Sequence, residues 1–310
     1  MPDEPKTSTP SDAPAADART TRIVERGVMV NGLRLVAAMN EDQRGLLPRV
    51  PLIMLPEVGF VWADYAPLLE RFAGERRVFA LDWLGFGGSA NPAPEYTYTV
   101  ANYVEMLAGW LDGLGIARGV LVGNGIAGAI AVRYAAAHPR RVLGLALLAP
   151  VGFSTGARSS RLLARMIGSA ALFARIEPLA TSLTLGPEAT DEARATTERH
   201  RALRAHEGYR ASLAARSALW RDATSAEAQV SLAAAAKSIE LPAIVMRGAL
   251  DPLVTAPEAH QAAESLGGHG ALEVTLPDAG HLPFLQQPQR CYAALDGLLG
   301  TAELAAAQMQ

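Results

Sequence analysis

After the first twenty residues, two short runs mixing apolar and polar positions come first. Arg22–Val30 and Leu33–Ala38 each read as a strand, and Asn31-Gly32 between them reads as a tight hairpin turn. From Val50 onward the pattern changes. Val50–Leu55 and Arg77–Leu81 are apolar runs suited to strands covered on both faces, and Gly119–Val122, Val142–Leu148, Ala243–Arg247 and Ala271–Leu276 read as further strands. Segments of helical period separate them: Ala63–Phe72, Val100–Leu114, Ile126–Ala137 (which stops before Pro139), a helix after Pro257 and a last one after Pro288. Strands alternating with helices predict an α/β fold: a mostly parallel twisted sheet flanked by helices, with right-handed crossovers.

The alternation breaks once. Residues 153–238 hold no strand of the buried type and read as helices rich in Ala, Leu and Arg. They predict a helical cap inserted into a core formed by 21–152 and 239–305. Arg161, Arg165, Arg194, Arg199, Arg201, Arg204, Arg210 and Arg216 in this stretch read as a solvated helix face, in preference to an anion site. Residues 1–20, built mainly from Pro, Ala, Asp, Ser and Thr, read as a disordered tail.

Composition narrows the function classes. Half of the 310 residues are hydrophobic, ample for a large core. A net charge of −3 gives no electrostatic footing for nucleic acid or an anionic membrane. No run reaches the ~18 apolar residues of a membrane helix, and the N-terminus lacks the apolar stretch of a signal peptide. The basic residues are arginine except for Lys6 and Lys237, a bias of GC-rich bacterial coding. The single cysteine, Cys291, excludes an intrachain disulfide and reads as a buried, inert thiol. A reducing, cytoplasmic compartment is expected, with a small-molecule substrate as the partner.

The candidate chemistry centres on Leu121-Val122-Gly123-Asn124-Gly125-Ile126-Ala127-Gly128, between a strand and a helix. A sharp strand-to-helix corner needs small residues, and many hydrolases hold a nucleophilic serine there in Gly-x-Ser-x-Gly. Three further motifs share its setting. They are Leu55-Pro56-Glu57-Val58-Gly59 after the third strand, Asp82-Trp83-Leu84-Gly85-Phe86-Gly87-Gly88-Ser89, and a pair near the end. That pair is Arg247-Gly248-Ala249-Leu250-Asp251-Pro252-Leu253-Val254 followed by Asp278-Ala279-Gly280-His281-Leu282-Pro283-Phe284. In this order the motifs resemble the α/β-hydrolase superfamily across roughly residues 22–300.

The resemblance implies that Asp251 is the catalytic acid and His281 the catalytic histidine, the carboxylate orienting the imidazole. It places the backbone N–H groups of Val58 and Ile126 as oxyanion donors. It also exposes two departures. The serine position is Gly125, so no acyl-enzyme can form there, and Asn124 beside it is a poor nucleophile. The family's His-Gly in the oxyanion loop is Pro56-Glu57. A change made to trap a substrate alters the serine alone, so two departures together favour a naturally divergent member.

Three readings follow. In the first, His281 held by Asp251 is a general base, with Glu57 as acid or second base, in a hydrolysis, elimination or cyclisation without a covalent acyl-enzyme. In the second, the chain is a catalytically silent ligand- or partner-binding homologue. In the third, it is a serine esterase or C–C hydrolase whose nucleophile was replaced by design. Asn124, Phe60, Trp62, Phe153 and Trp220 are the expected substrate-binding residues, suiting a hydrophobic organic molecule. His138, His200, His206, His260 and His269 read as helix-end or surface residues. Neither a Cys/His cluster nor a nucleotide fingerprint is present, so no cofactor and no metal are expected.

Overall fold

A computed structural model describes every residue except 1–20, 43–47, 94, 154–161, 163–164, 206–207, 268–269 and 309–310. The expected tail, Arg161, His206 and His269 therefore lie outside the described residues. Eight strands are seen: β1 (Ile23–Val30), β2 (Leu33–Asn40), β3 (Leu52–Leu55), β4 (Val78–Asp82), β5 (Gly119–Asn124), β6 (Val142–Leu148), β7 (Ala243–Gly248) and β8 (Leu272–Leu276). They form one sheet in the order β1-β2-β4-β3-β5-β6-β7-β8. The β1–β2 and β2–β4 pairs are antiparallel and the remaining pairs are parallel. Asn31 and Gly32 both have positive φ (49° and 79°), the backbone that a two-residue hairpin with right-handed strand twist requires.

Strands β3, β4, β5 and β6 are buried along their whole length, which is why β3 and β4 read as apolar runs. Successive side chains go to opposite faces. Ile53, Leu55 and Leu121 join one core cluster, while Leu52, Met54, Val120 and Val122 join the other. Strand β3 is shorter than the apolar run that announced it, since Pro51 has no N–H to give the ladder. Strand β5 runs further than expected, because Gly123 and Asn124 still pair with Leu147 and Leu148.

The described helices are α1 (Ala66–Ala73), α2 (Val100–Gly113), α3 (Ile126–Ala137), α4 (Ala170–Leu185), α5 (Asp191–Leu203), α6 (Tyr209–Ala223), α7 (Ala226–Lys237), α8 (Ala256–Ser265) and α9 (Pro288–Gln308). The first expected helix is divided: a 3-10 turn over Trp62–Tyr65 precedes α1, whose Pro67 occupies its first turn. The Thr99 hydroxyl caps α2 by accepting from the Asn102 N–H at 3.2 Å.

Helices α4 to α7 lie between β6 and β7 in sequence and are tied to the core by polar contacts. Ser212 donates to the Gly85 carbonyl at 3.0 Å, and the His281 N–H donates to the Thr184 carbonyl at 2.9 Å. Asp64, fully buried, binds Arg199 and lies 3.0 Å from His200 Nε2. Two expectations are corrected here. His200 lies in the last turn of α5, a helix-end position as expected, but it is buried, because its ring packs against Phe60 with centroids 4.4 Å apart while its nitrogen meets Asp64. Arg216 is also not on a solvated face. It is only 6% exposed, its guanidinium lying over the rings of Phe60 (5.7 Å) and Phe173 (5.0 Å). Arg194 and Arg201 are exposed as expected, each pairing with an acid one turn away. No helix among the described residues is long and apolar enough to cross a membrane.

Candidate active site

The chain turns from β5 into α3 at Gly125, with φ 55° and ψ −119°. Residues with a Cβ rarely adopt that backbone. Its N–H donates to the Leu148 carbonyl at 2.9 Å, and its carbonyl accepts from Val151 at 3.0 Å and Gly128 at 3.1 Å. These backbone bonds help to hold the corner in place. A Cβ added at Gly125 falls 1.6 Å from Glu57 Oε2 and 2.9 Å from His281 Nε2. The space of a side chain at residue 125 is thus already filled by the Glu57 carboxylate.

Glu57 lies in the loop after β3, and its side chain points inward with no solvent exposure. Its Oε2 accepts from the Ile126 N–H at 2.7 Å. That donor is the first residue of α3, where the helix dipole favours an anion. Its Oε1 is buried without a hydrogen-bond partner. A relay fixes the loop. The Glu57 N–H donates to the Tyr65 oxygen (2.9 Å), and the Tyr65 O–H donates to Asn124 Oδ1 (2.6 Å). The Asn124 amide then donates to the carbonyls of Leu148 (2.8 Å) and His281 (3.3 Å). Trp83 Nε1 holds the preceding Pro56 carbonyl at 2.7 Å.

His281 arrives from the loop after β8. Its Nδ1 is 2.9 Å from Asp251 Oδ2, while Asp251 Oδ1 accepts from the N–H groups of Leu253 (2.8 Å) and Val254 (3.2 Å). Its Nε2 has no hydrogen bond and lies 3.9 Å from Glu57 Oε2. Burial disfavours charge on the ring, but the charge and hydrogen bond of Asp251, reinforced by Glu57, outweigh it. The pKa is raised to about 9, so at neutral pH the ring is an imidazolium between two carboxylates.

The structure thus brings Gly125, Glu57, Ile126, Asp251 and His281 together. Asn124 is fully buried and its amide is engaged in the relay, away from any cavity. Val58 and Phe60 are fully buried in the same loop. Trp62 sits at the outer side of the loop, its Nε1 donating to Glu25 at 2.7 Å. Phe153 and Trp220 line a cavity of about 680 Å³ together with Val151, Leu253 and Val254. A second cavity, of about 140 Å³, is lined by Gly59, Glu177, His200, Tyr209, Ser212 and Arg216. Gly125, Glu57 and His281 line neither. Cys291 is buried and free, its thiol pushed up to about 12 by burial. No grouping of three potential metal-ligating side chains occurs among the described residues.

Sequence reasoning missed Tyr65 and Arg216. Tyr65 carries no motif of its own; the only signal was a polar-tipped aromatic eight residues after Glu57. Arg216 is one arginine among many, and only packing separates it from those that are solvated.

A family model described as the alpha/beta hydrolase fold matches residues 55–288. Among similar proteins is 2-hydroxymuconate semialdehyde hydrolase of Pseudomonas putida. It is 46% identical over 84 residues, covering 27% of this chain and 30% of that protein. The enzyme of the same name from Pseudomonas sp. (strain CF600) is 39% identical over 107 residues, or 34% of this chain and 38% of that protein. The matches thus span well under half the length of these curated relatives. Among solved structures, 2-hydroxy-6-oxo-6-phenylhexa-2,4-dienoate hydrolase from Rhodococcus sp. strain RHA1 superimposes with a TM-score of 0.70 at 20% identity. That superposition covers 89% of this chain and 98% of the other. The sheet order, the strand-to-helix corner and the extent of the family match lead to one conclusion: the chain belongs to the α/β hydrolase fold family.

Proposed function

We propose that this protein is an enzyme that moves protons on a hydrophobic organic substrate through Glu57, His281 and Asp251, without an acyl-enzyme at residue 125. One observation carries the reading. The volume that a nucleophilic side chain at the corner would need is filled by a buried carboxylate, 3.9 Å from an imidazole oriented by a second carboxylate. The raised pKa of His281 supports proton donation from the ring in place of its expected base role, and leaves Glu57 the second of the two roles expected of it, that of a base. With the ring protonated at neutral pH, His281 is the proton donor and Glu57 the acceptor, while Asp251 stabilises the imidazolium.

The helices between β6 and β7 act as the cap in this reading. The larger cavity under them accepts the apolar part of the substrate against Phe153 and Trp220. The smaller one offers Arg216, whose Nε is buried without a partner, to an acidic group of the substrate. The named relatives are hydrolases of a muconate semialdehyde and of a phenylhexadienoate. Unsaturated keto acids of that kind match such a divided site, and hydrolysis, elimination or cyclisation of one is within reach of a donor–acceptor pair. Entry to Glu57 and His281, closed from both cavities here, requires the cap helices to move.

The test is turnover of a 2-hydroxy-6-oxo-dienoate, followed by loss of its absorbance, in the parent, His281→Ala and Glu57→Gln proteins. Both variants are expected to lose roughly 10²–10⁴-fold in kcat while still binding the substrate. Unchanged turnover in either would overturn the assignment. A ligand-binding module is the second reading, favoured by the closure of the three groups from solvent. A parent protein that binds members of such a panel and converts none of them would establish it.

A further inference from the structure

Helix α4 has two faces of different kinds. Its inner face carries Phe173, Glu177, Thr181 and Thr184, all buried. Phe173 lies under the Arg216 guanidinium, Glu177 lines the smaller cavity, and the Thr184 carbonyl accepts the His281 N–H at 2.9 Å. The outer face carries Leu172, Ile176, Leu179 and Leu183. Their spacings of four, three and four residues put them on one stripe of the helix. Nine large hydrophobic side chains are exposed among the described residues, and three of them share this stripe: Leu172 (38%), Leu179 (64%) and Leu183 (54%). Ile176 between them is half-buried. Single exposed leucines need no explanation, whereas a row of them marks a contact surface. The next helix of the insertion shows the contrast. α5 exposes Asp191, Glu192, Arg194, Glu198 and Arg201, while Arg175 is the one charged residue exposed on α4.

We propose that this stripe is the contact between two copies of the chain, in which α4 pairs antiparallel with the α4 of a second copy across a two-fold axis. The pairing is independent of the chemistry assigned to Glu57 and His281.

Two properties of the stripe select a second copy as its occupant. First, its spacing reads the same from either end. An axis between Ile176 and Leu179 sets Leu172 of each copy against Leu183 of the other, and Ile176 against Leu179. A two-fold contact has to be self-complementary in this way. Second, the exposed charges at the two ends of the helix differ in sign. Arg165 and Arg175 stand toward its N-terminal end, and Glu188, Asp191 and Glu192 beyond its C-terminal end. Antiparallel pairing brings each basic end to the acidic end of the other copy, whereas a parallel pair would bring like charges together. The two helix dipoles also oppose each other in the antiparallel arrangement.

The size of the face sets the strength of the pair. The 16 residues of α4 span ~24 Å at a width of ~10 Å, or ~240 Å² per copy, against the ~800 Å² of a standard interface. The pair is therefore weak and reversible. Its consequence falls on the inserted helices: the inner face of α4 meets the His281 backbone and the smaller cavity, so pairing ties the movement of one α4 to that of the other.

Sedimentation velocity of the full chain, from ~1 μM to ~1 mM, tests the pair. The parent is expected to pass from monomer to dimer over this range. Leu179→Glu, on the stripe, is expected to stay monomeric, and Leu304→Glu, exposed on α9, to dimerise as the parent does. Cysteine cross-linking reads the orientation, since the native thiol of Cys291 is buried. At a rise of ~1.5 Å per residue, antiparallel pairing places residue 172 of one copy beside 183 of the other and ~16 Å along the helix from its own counterpart. A mixture of Leu172→Cys and Leu183→Cys proteins should give a disulfide-linked heterodimer, while Leu172→Cys alone should give no cross-link. The cross-link does not depend on Leu179→Glu and decides the matter if that variant does not fold. A parent that stays monomeric throughout, a dimer unchanged by Leu179→Glu, or Leu172→Cys linking to itself each overturns the proposal. So does binding to phosphatidylcholine vesicles that Leu179→Glu abolishes in a protein that remains monomeric, which would give the face to a lipid surface. None of these measurements bears on the proton-transfer reading, which is judged by turnover of the dienoate.

Discussion

Gly125→Ser offers the sharpest test of the geometry at the corner, because the structure assigns it two separable costs. The backbone there, φ 55° and ψ −119°, costs a residue with a Cβ about 1–3 kcal/mol of strain. The added Cβ falls 1.6 Å from Glu57 Oε2, so the carboxylate must leave. Leaving breaks its charge-assisted bond to the Ile126 N–H, worth about 1.5–3 kcal/mol. The single variant should therefore lose about 4 kcal/mol. In a Glu57→Gly background the strain remains, about 1–3 kcal/mol, together with the 2.9 Å approach of the new Cβ to His281 Nε2, and a double-mutant cycle should return a coupling of about 1.5–3 kcal/mol. Urea denaturation of the four proteins, followed by circular dichroism, measures both values. A functional readout accompanies it. With Glu57 gone, the new hydroxyl stands beside His281 Nε2, so the double variant should gain hydrolysis of a nitrophenyl ester that neither single variant shows. The reasoning is refuted if Gly125→Ser is as stable as the parent within ~0.5 kcal/mol, or costs the same with and without Glu57.

Further predictions concern pH and the contacts that hold the site. His281 has its folded pKa raised to about 9 from an unfolded value of ~6.5, so its contribution is complete below ~6.5 and is lost as pH rises toward 9. That is roughly 3 kcal/mol at most, and urea midpoints at pH 6.5 and 9 should differ accordingly, whereas His281→Gln should flatten the profile. At the acid end, burial raises the pKa of Asp64, but the hydrogen bond and charge of His200, with Val61 and Arg199, outweigh it and leave a net depression. Its contribution is therefore present above ~4 and lost as pH falls through the depressed value. Asp64→Asn leaves Arg199 and His200 without their charged partner and should cost about 3 kcal/mol, with faster proteolysis of α5 and α6; unchanged cleavage would show that this contact does not hold the inserted helices. Tyr65→Phe deprives both the Glu57 N–H and Asn124 Oδ1 of a partner and should cost about 1–3 kcal/mol with a fall in kcat; a neutral result would remove the relay from the account.

Much of the fold could be read from the chain because its signals are local. Buried parallel strands must be apolar on both faces, so β3 and β4 announced themselves as apolar runs, and Asn31-Gly32 identified its hairpin by backbone tolerance alone. The corner at Gly125 and the separate stations of Asp251 and His281 were legible for the same reason, since each depends on residues adjacent in sequence. Three things were decided only by tertiary packing. Glu57 could as well have been a solvated loop residue; what turned it inward is the Ile126 N–H, brought from 69 residues away by the pairing of β3 with β5. His200 and Arg216 look like any polar residues on a helix, and only the rings of Phe60 and Phe173 and the carboxylate of Asp64 made their burial favourable. The raised pKa of His281 comes from two acids on distant loops, acting against the desolvation of the ring. A side chain's neighbours through space, and the loss of water that comes with them, set its protonation and its role, and no window of sequence contains either.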